Sequence, residues 1–475
     1  MLGTKVDAVV RHLAVLFAVL TLASCAAPSA QRAAETLHEI EVGHGPLALA
    51  EGGTPPGLPA LTEQSGLEDC LRYAALNNPG LRAAFDRWRG ALERVAQVTT
   101  LPDPRLTLMG MWMEGRSGLA ERRVEVMQEF PWFGKLRLRG EVALAEADAE
   151  RQRFEAAALD LAFRVKDAFY ELYYLARAIA VTTENIDLLK YIEAVARSLY
   201  QVGSTQYADV IRSQVELAKL EDDLRTLHEM KAPTAARLNA ALNRPSETAV
   251  PLPKAIPEET LETDAARLLA QMREANPELK ALGADVARQQ AAVRLAEKDF
   301  YPDFSLGLRL TDTASVGGMD SDSLMPMIGL TLPIWRGKYR AARNEAKAML
   351  SGAQLSLADR ANALSAEIEM AWFKFRDATR KIGLYRDTLV PKAQQSLKAT
   401  ETAYKAAKAS LADLIDAERV LLAFRLEYER ALADRAQRLA ELESLIGRPL
   451  PRAAAESPGW EKGEQATQPA KPSQK

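Results

Sequence analysis

Phe304-Ser305-Leu306-Gly307-Leu308-Arg309-Leu310-Thr311 decides the fold. Phe304, Leu306, Leu308 and Leu310 alternate with small or polar residues, the period of a strand with one apolar face. A second run begins a few residues on, with Pro326, Ile328, Leu330 and Leu332 alternating with Met327, Gly329 and Thr331. Asp312 to Gly318 between them is polar and glycine-rich, so the pair reads as a hairpin. A face of large aliphatic groups opposite a polar face is the pattern of a transmembrane barrel strand.

The same grammar stands about 200 residues earlier. Leu106, Leu108 and Trp112 alternate with Thr107, Met109 and Met111, and Val124, Val126 and Phe130 with Glu125, Met127 and Glu129 around a Glu114 to Gly118 tip. Around the hairpins the match continues in order. Asn78-Pro79-Gly80-Leu81 returns as Asn276-Pro277-Glu278-Leu279, Pro102-Asp103 as Pro302-Asp303, Gly134-Lys135 as Gly337-Lys338, Ala208-Asp209 as Ala412-Asp413, and Arg244-Pro245 as Arg448-Pro449. The chain is an internal duplication, with a first repeat over 61–245 (hairpin about 104–130), a linker over 246–260, and a second repeat over 261–450 (hairpin about 303–332).

Each repeat expects a helix near 80–99 or 278–298, a hairpin, a very long helix, a turn and a return helix. Leu161, Val165, Ala168, Leu172, Leu175 and Ile179 form a heptad seam, matched by Leu364, Ile368, Ala371, Phe375, Ala378 and Ile382. The return helices carry Leu217, Leu220, Leu224 and Leu227 against Leu421, Phe424, Tyr428 and Ala431. A helix from about 136 to 199 would be ~95 Å long. A periplasmic helical spacer or adaptor would explain such rods; lipid-facing strands would not be needed for it. Four strands cannot close a barrel without edges, whereas three chains supply twelve.

The amino terminus has the three parts of a secretory signal over 1–24: Lys5 and Arg11, an apolar run Leu13 to Leu22, and Leu22-Ala23-Ser24-Cys25. The last four residues resemble a lipoprotein cleavage box, which makes Cys25 a lipidated first residue; a plain secretory signal with an incidental cysteine is the other reading. Residues 25–60 then read as a tether and 451–475 as a disordered tail. With a lipid on Cys25, Cys70 has no partner for a disulfide. Past Cys25 no stretch is long and apolar enough for a transmembrane helix. A net charge of −3 from 61 basic and 64 acidic residues offers no field for nucleic acid. Three of the four histidines precede the folded region, leaving His228, and no nucleotide-binding, serine-hydrolase or zinc-protease motif is present, so an enzyme is not expected.

Two copies of this element order, the Asn-Pro-x-Leu openings and Phe130-Pro131-Trp132-Phe133-Gly134-Lys135 resemble the TolC family of outer-membrane efflux proteins over about 61–450. The Pro-Trp-Phe-Gly-Lys segment and lipobox are similar to the branch that serves heavy-metal pumps of the resistance-nodulation-division type. The resemblance implies a mostly α fold with a small β part. It also implies a homotrimer with a twelve-stranded barrel in the outer membrane, and a twelve-helix tunnel reaching a periplasmic adaptor and an inner-membrane pump. An outer-membrane component of type I secretion or drug efflux is the neighbouring alternative. The implied cofactor set is empty apart from the covalent lipid.

By the same resemblance, Val202, Gly203 and Ser204 form one adaptor-docking tip and Ala406, Ala407 and Lys408 the other, with Ala407 departing from the expected glycine. Asp413 and Asp416 match the paired aspartates of the tunnel entrance, which a threefold axis would crowd and whose pKa values it would raise; two solvated surface carboxylates are the plainer reading. Asp209 and Tyr404 match closing contacts, and Ala409 stands where an arginine is expected, leaving Lys408 as the nearby cation. The strand register turns Met109, Met111, Met113, Met127, Met325 and Met327 toward the lumen. Thioethers there suit Cu(I) or Ag(I), although a slip of one residue would turn them to lipid and methionine also fills gaps.

Overall fold

The computed structural model describes residues 28–43, 61–62, 65–112, 119–252, 255–256, 259–261, 263–313, 321–406 and 408–454. Cys25, Met113, Ala407 and the two hairpin tips lie outside them. The helices are α1 (Pro28–Gly43), α2 (Leu67–Asn77), α3 (Pro79–Thr99), α4 (Lys135–Gln201), α5 (Tyr207–Leu242), α6 (Ala265–Ala275), α7 (Pro277–Lys298), α8 (Arg336–Leu384), α9 (Val390–Lys405) and α10 (Leu411–Ile446). The strands are β1 (Arg105–Trp112), β2 (Leu119–Phe130), β3 (Glu259–Thr260), β4 (Asp303–Thr313), β5 (Ser321–Thr331) and β6 (Ala453–Ala454). The succession helix, helix, hairpin, long helix, return helix runs twice.

Two compact units result, one of residues 79–157 and 277–362 with the amino-terminal segment, the other of 57–78, 158–276 and 363–475. The first holds an antiparallel sheet of order β1-β2-β4-β5. Leu106 pairs with Val126, Val126 with Leu308 and Leu308 with Pro326, so the apolar rows of the four strands fall on one face, as the alternation requires. Leu108, Trp112, Ile328 and Leu330 are each at least 63% exposed.

The structure adds three features to these expectations. The tether contains α1, whose Ala33 is buried and whose Leu37 packs with Phe85, Trp88, Leu92 and Val95 of α3 and Ala143 and Ala147 of α4. An Ala- and Glu-rich stretch is a good helix former, and that apolar groove selects its face. Gly140 of α4 admits the close approach, since a Cβ there would stand 2.3 Å from Ser29 Oγ. Helices α2 and α6, absent from the expected grammar, precede each Asn-Pro; the proline pushes Asn78 and Asn276 into extended backbone (ψ 121° and 120°) and starts the next helix at its own position. The expected linker and tail meet where Glu259 and Thr260 pair with Ala454 and Ala453.

In the second unit the seam is buried from Leu161 to Leu175, then passes to Ala178, Thr182, Leu189, Ile192 and Ala196, leaving Ile179 half-buried. The short step from Leu175 to Ala178 shifts the heptad phase. In the second repeat Ile382 stays buried and the phase is reset differently, by a π-helical turn at Tyr385–Leu389. Pro391 follows it; proline lacks the N–H and crowds the preceding turn, and the wider turn absorbs this, with Val390 N–H donating to Tyr385 O.

Candidate functional site: strand face, helix tips and entrance carboxylates

On the face of the sheet opposite the leucines, the structure places Met109 beside Arg123, Met111 beside Glu121, Met325 beside Arg309, and both Met127 and Met327 beside Gly307. These five strand methionines share one face with charged and small residues. Arg309 donates to Glu125 Oε2 from Nε (3.0 Å) and Nη2 (2.9 Å), which fixes that face as polar. Met327 Cε lies 3.1 Å from where a Cβ on Gly307 would be, so the glycine makes room for the thioether.

At the end of α4, Gly203 has φ 74°, the left-handed backbone that glycine supplies cheaply. Ser204 N–H reaches back to Leu199 O (2.8 Å) and Gly203 N–H to Tyr200 O (2.9 Å), closing the helix in a Schellman-like turn. Val202, 72% exposed, leads the tip, and the rings of Tyr200 and Tyr207 meet at 5.4 Å behind it. In the second tip Lys408 N–H reaches Ala403 O at 2.8 Å, the counterpart of the Ser204 bond, and Ala406 sits at φ −88°. The closing bond thus survives the loss of glycine at 407. Lys408 is exposed in this turn, while Lys405 pairs with Glu401 (2.6 Å) and lies over the Tyr191 ring at 5.1 Å.

The two aspartates expected at the entrance have different partners. Asp413 closes a capping box with Ser410: Ser410 N–H and Oγ–H donate to Asp413 Oδ2 (3.0 and 2.7 Å), and Asp413 N–H donates to Ser410 Oγ (3.2 Å). These bonds lower its carboxyl pKa within the single chain. Asp416 is exposed and pairs with Arg419 at 3.3 Å. Asp209 accepts from Thr205 Oγ1. Tyr404 is buried, and burial followed by the Asp209 charge pushes its hydroxyl up. Tyr404 belongs to a core that includes Leu189, Ile192, Leu220, Leu397, Leu411 and Leu414.

Sequence reasoning missed the polar group inside that core. Glu418 is wholly buried, accepts from Asn185 Nδ2 through Oε1, and has no partner on Oε2. Burial first, then the neighbouring Glu216 charge, raises its pKa to about 7 against a smaller lowering by Arg419. Arg419 itself grips Glu216, with Nε donating to Oε1 at 2.7 Å. The signal was present: Glu418 falls in phase with Leu411, Leu414 and Leu421, and Asn185 with Thr182 and Leu189. Among the described residues no group of His, Cys, Asp and Glu could hold a metal ion, and His228 is exposed. Cys70 is buried, and burial with the adjacent Asp69 raises its thiol to about 11, which suppresses thiolate chemistry.

The sequence matches the outer membrane efflux protein family over residues 71–244 and 268–448. Nodulation protein T of Rhizobium leguminosarum bv. trifolii is 22% identical over 438 residues, covering 85% of this chain and 91% of that protein. The cobalt-zinc-cadmium resistance protein CzcC of Cupriavidus metallidurans is 22% identical over 392 residues, covering 80% and 90%. The solved channel CusC superposes with a TM-score of 0.71 at 15% identity, over 84% of this chain and 99% of CusC. With two matched segments that fall within the two repeats, and a mostly helical fold shared with the CusC channel, the chain belongs to the outer membrane efflux protein family.

Proposed function

We propose that three copies of this chain form the outer-membrane duct of a tripartite efflux system, passing metal ions or small toxic compounds from a periplasmic adaptor and a resistance-nodulation-division pump to the exterior. The observation that carries this is the β1-β2-β4-β5 sheet, which has a continuous apolar face, a polar face and two unpaired edges. Such a sheet is unstable alone in lipid, and closing it with further copies removes both edges at once. Twelve strands and twelve helical segments follow from threefold assembly. Cys25 carries the lipid that tethers the amino terminus, the Val202 to Ser204 and Ala406 to Lys408 tips meet the adaptor, and Asp413, Asp416, Asp209 and Tyr404 surround the entrance.

Metal cargo is supported by the methionine-bearing strand face and by the resemblance to a protein named for cobalt, zinc and cadmium resistance. Purified protein reconstituted in a planar bilayer gives discrete, cation-selective conductance steps under this reading. A protein that extracts without detergent and never conducts contradicts it. Profiling a deletion strain against metals and drugs then assigns the cargo.

A further inference from the structure

Inside the first unit, a turn from the first repeat grips a carboxylate from the second. Lys135 Nζ lies 2.9 Å from Asp303 Oδ1 and 3.0 Å from Oδ2, with its side chain 4% exposed. Trp132 N–H donates to the same Oδ1 at 2.6 Å, and the Trp132 ring stacks on Tyr301 at 5.4 Å and 13°. A carboxylate held by a buried ammonium and a backbone N–H is a strong, directional clamp. It locks β4 against β2, whose register runs Phe130 to Phe304 and Val126 to Leu308.

The duplication supplies the same parts again, uncovered. Trp335 and Lys338 stand 203 residues after Trp132 and Lys135, and the turn bond is repeated: Lys135 N–H to Trp132 O and Lys338 N–H to Trp335 O are both 3.0 Å. Asp103 stands 200 residues before Asp303. Here Trp335 is 74% exposed, Lys338 and Asp103 are exposed, and neither forms an ion pair among the described residues. The turns differ at glycine: Gly134 has φ 86° whereas Gly337 lies within α8, and glycine leaves the second turn free to take the first one's shape. The strands beside these parts, β1 and β5, are the two edges of the sheet.

We infer that the Trp335–Lys338 turn clamps Asp103 of the partner subunit, and that this clamp sets the register in which β5 pairs with β1 of the next copy. The inference rests on the oligomeric reading above. Transposing the internal register through the repeat offsets places Leu330 opposite Leu106 of the partner subunit, Ile328 opposite Leu108 of the partner subunit, and Pro326 opposite Gly110 of the partner subunit. The apolar rows stay in line and the proline ring meets a residue with no side chain. On the other face Met327 falls opposite Met109 of the partner subunit and Met325 opposite Met111 of the partner subunit. Each seam therefore gathers four thioethers from two chains, a soft-ligand cluster that a single chain does not contain.

The test uses the full chain in mild detergent. The double substitution Met327→Cys with Met109→Cys is expected to give oxidant-dependent covalent oligomers, whereas Met327→Cys with Met111→Cys gives at least tenfold less. Lys338→Asp and Asp103→Lys each lower the detergent concentration at which the oligomer dissociates, and the two together restore it. Oligomeric protein that cross-links in the second combination and not the first, or whose charge swap fails to restore association, overturns the clamp while leaving the duct intact. Wild-type protein that is monomeric throughout overturns the duct reading itself.

Discussion

Asn78 Nδ2 donates to the carbonyl of Ala241 at 2.9 Å, joining the α2–α3 junction to the last turn of α5. Asn276 Nδ2 donates to the carbonyl of Leu445 at 2.7 Å, the same bond at the same place in the second repeat. Both asparagines are buried, and each satisfies a carbonyl that a helix end would otherwise leave orphaned. Their side chains join the start of each repeat to its end.

Removing either donor leaves a buried carbonyl without a partner, a cost of about 1–3 kcal/mol. Asn78→Ala and Asn276→Ala are expected to lower the urea midpoint by similar amounts. Asn78→Asp is expected to be worse than Asn78→Ala, because it sets a carboxylate oxygen against a carbonyl oxygen. Equal midpoints for the Asp and Ala variants would show that the amide bond is not the stabilising contact.

The strand faces were legible because a one-sided sheet imposes a period of two that survives in every row, from Leu106 to Leu330. The long helices were legible from the heptad spacing. What was not legible depended on neighbours far away in sequence. Ala33 and Leu37 need the groove of Phe85 and Trp88 to become a helix face, and Ala178 replaces Ile179 only because the packing phase shifts. Ser410-x-x-Asp413 was readable as a capping box, but the resemblance drew attention to the carboxylate as an entrance charge. Both roles fit one residue, since the box engages Oδ2 and the group remains exposed.

Glu418 makes the helical core pH-dependent. Its pKa is raised in the folded state from an ordinary value of 4.5 to about 7, so the folded protein binds more protons than the unfolded chain within that window. Stability therefore falls as pH rises from about 4.5 to about 7 and is flat above, a loss of roughly 3 kcal/mol at most. Glu418→Gln, which keeps the shape and stays neutral, is expected to be the more stable form at pH 8 and nearly equal to wild type at pH 4.5. Heat unfolding followed by the helical signal at both pH values checks this; a wild type that gains stability between pH 5 and 8 relative to the variant contradicts the assignment.

At the first tip, Gly203 carries the left-handed backbone alone. Gly203→Val is expected to cost at least about 1–2 kcal/mol locally, because a β-branched side chain is disfavoured there. Since the Schellman bonds close only the last turn of α4, the loss should appear as faster protease cleavage near residue 203, with little change in global unfolding. A variant as protease-resistant as wild type would mean that the turn adopts another closure.

The methionines separate a metal path from simple packing. Leucine matches the volume of methionine and keeps the strand faces, so replacing Met109, Met111, Met113, Met127, Met325 and Met327 by Leu should leave oligomer assembly and conductance steps in place. It removes the thioether ligands for soft monovalent ions. If these residues carry Cu(I) or Ag(I), a strain expressing the six-fold variant loses tolerance to copper or silver while tolerance to organic toxicants is unchanged. Unchanged copper and silver tolerance assigns the methionines to packing. Because the register puts Met109, Met111 and Met325 beside Arg123, Glu121 and Arg309 rather than beside leucines, the expected outcome is the loss of soft-metal tolerance alone.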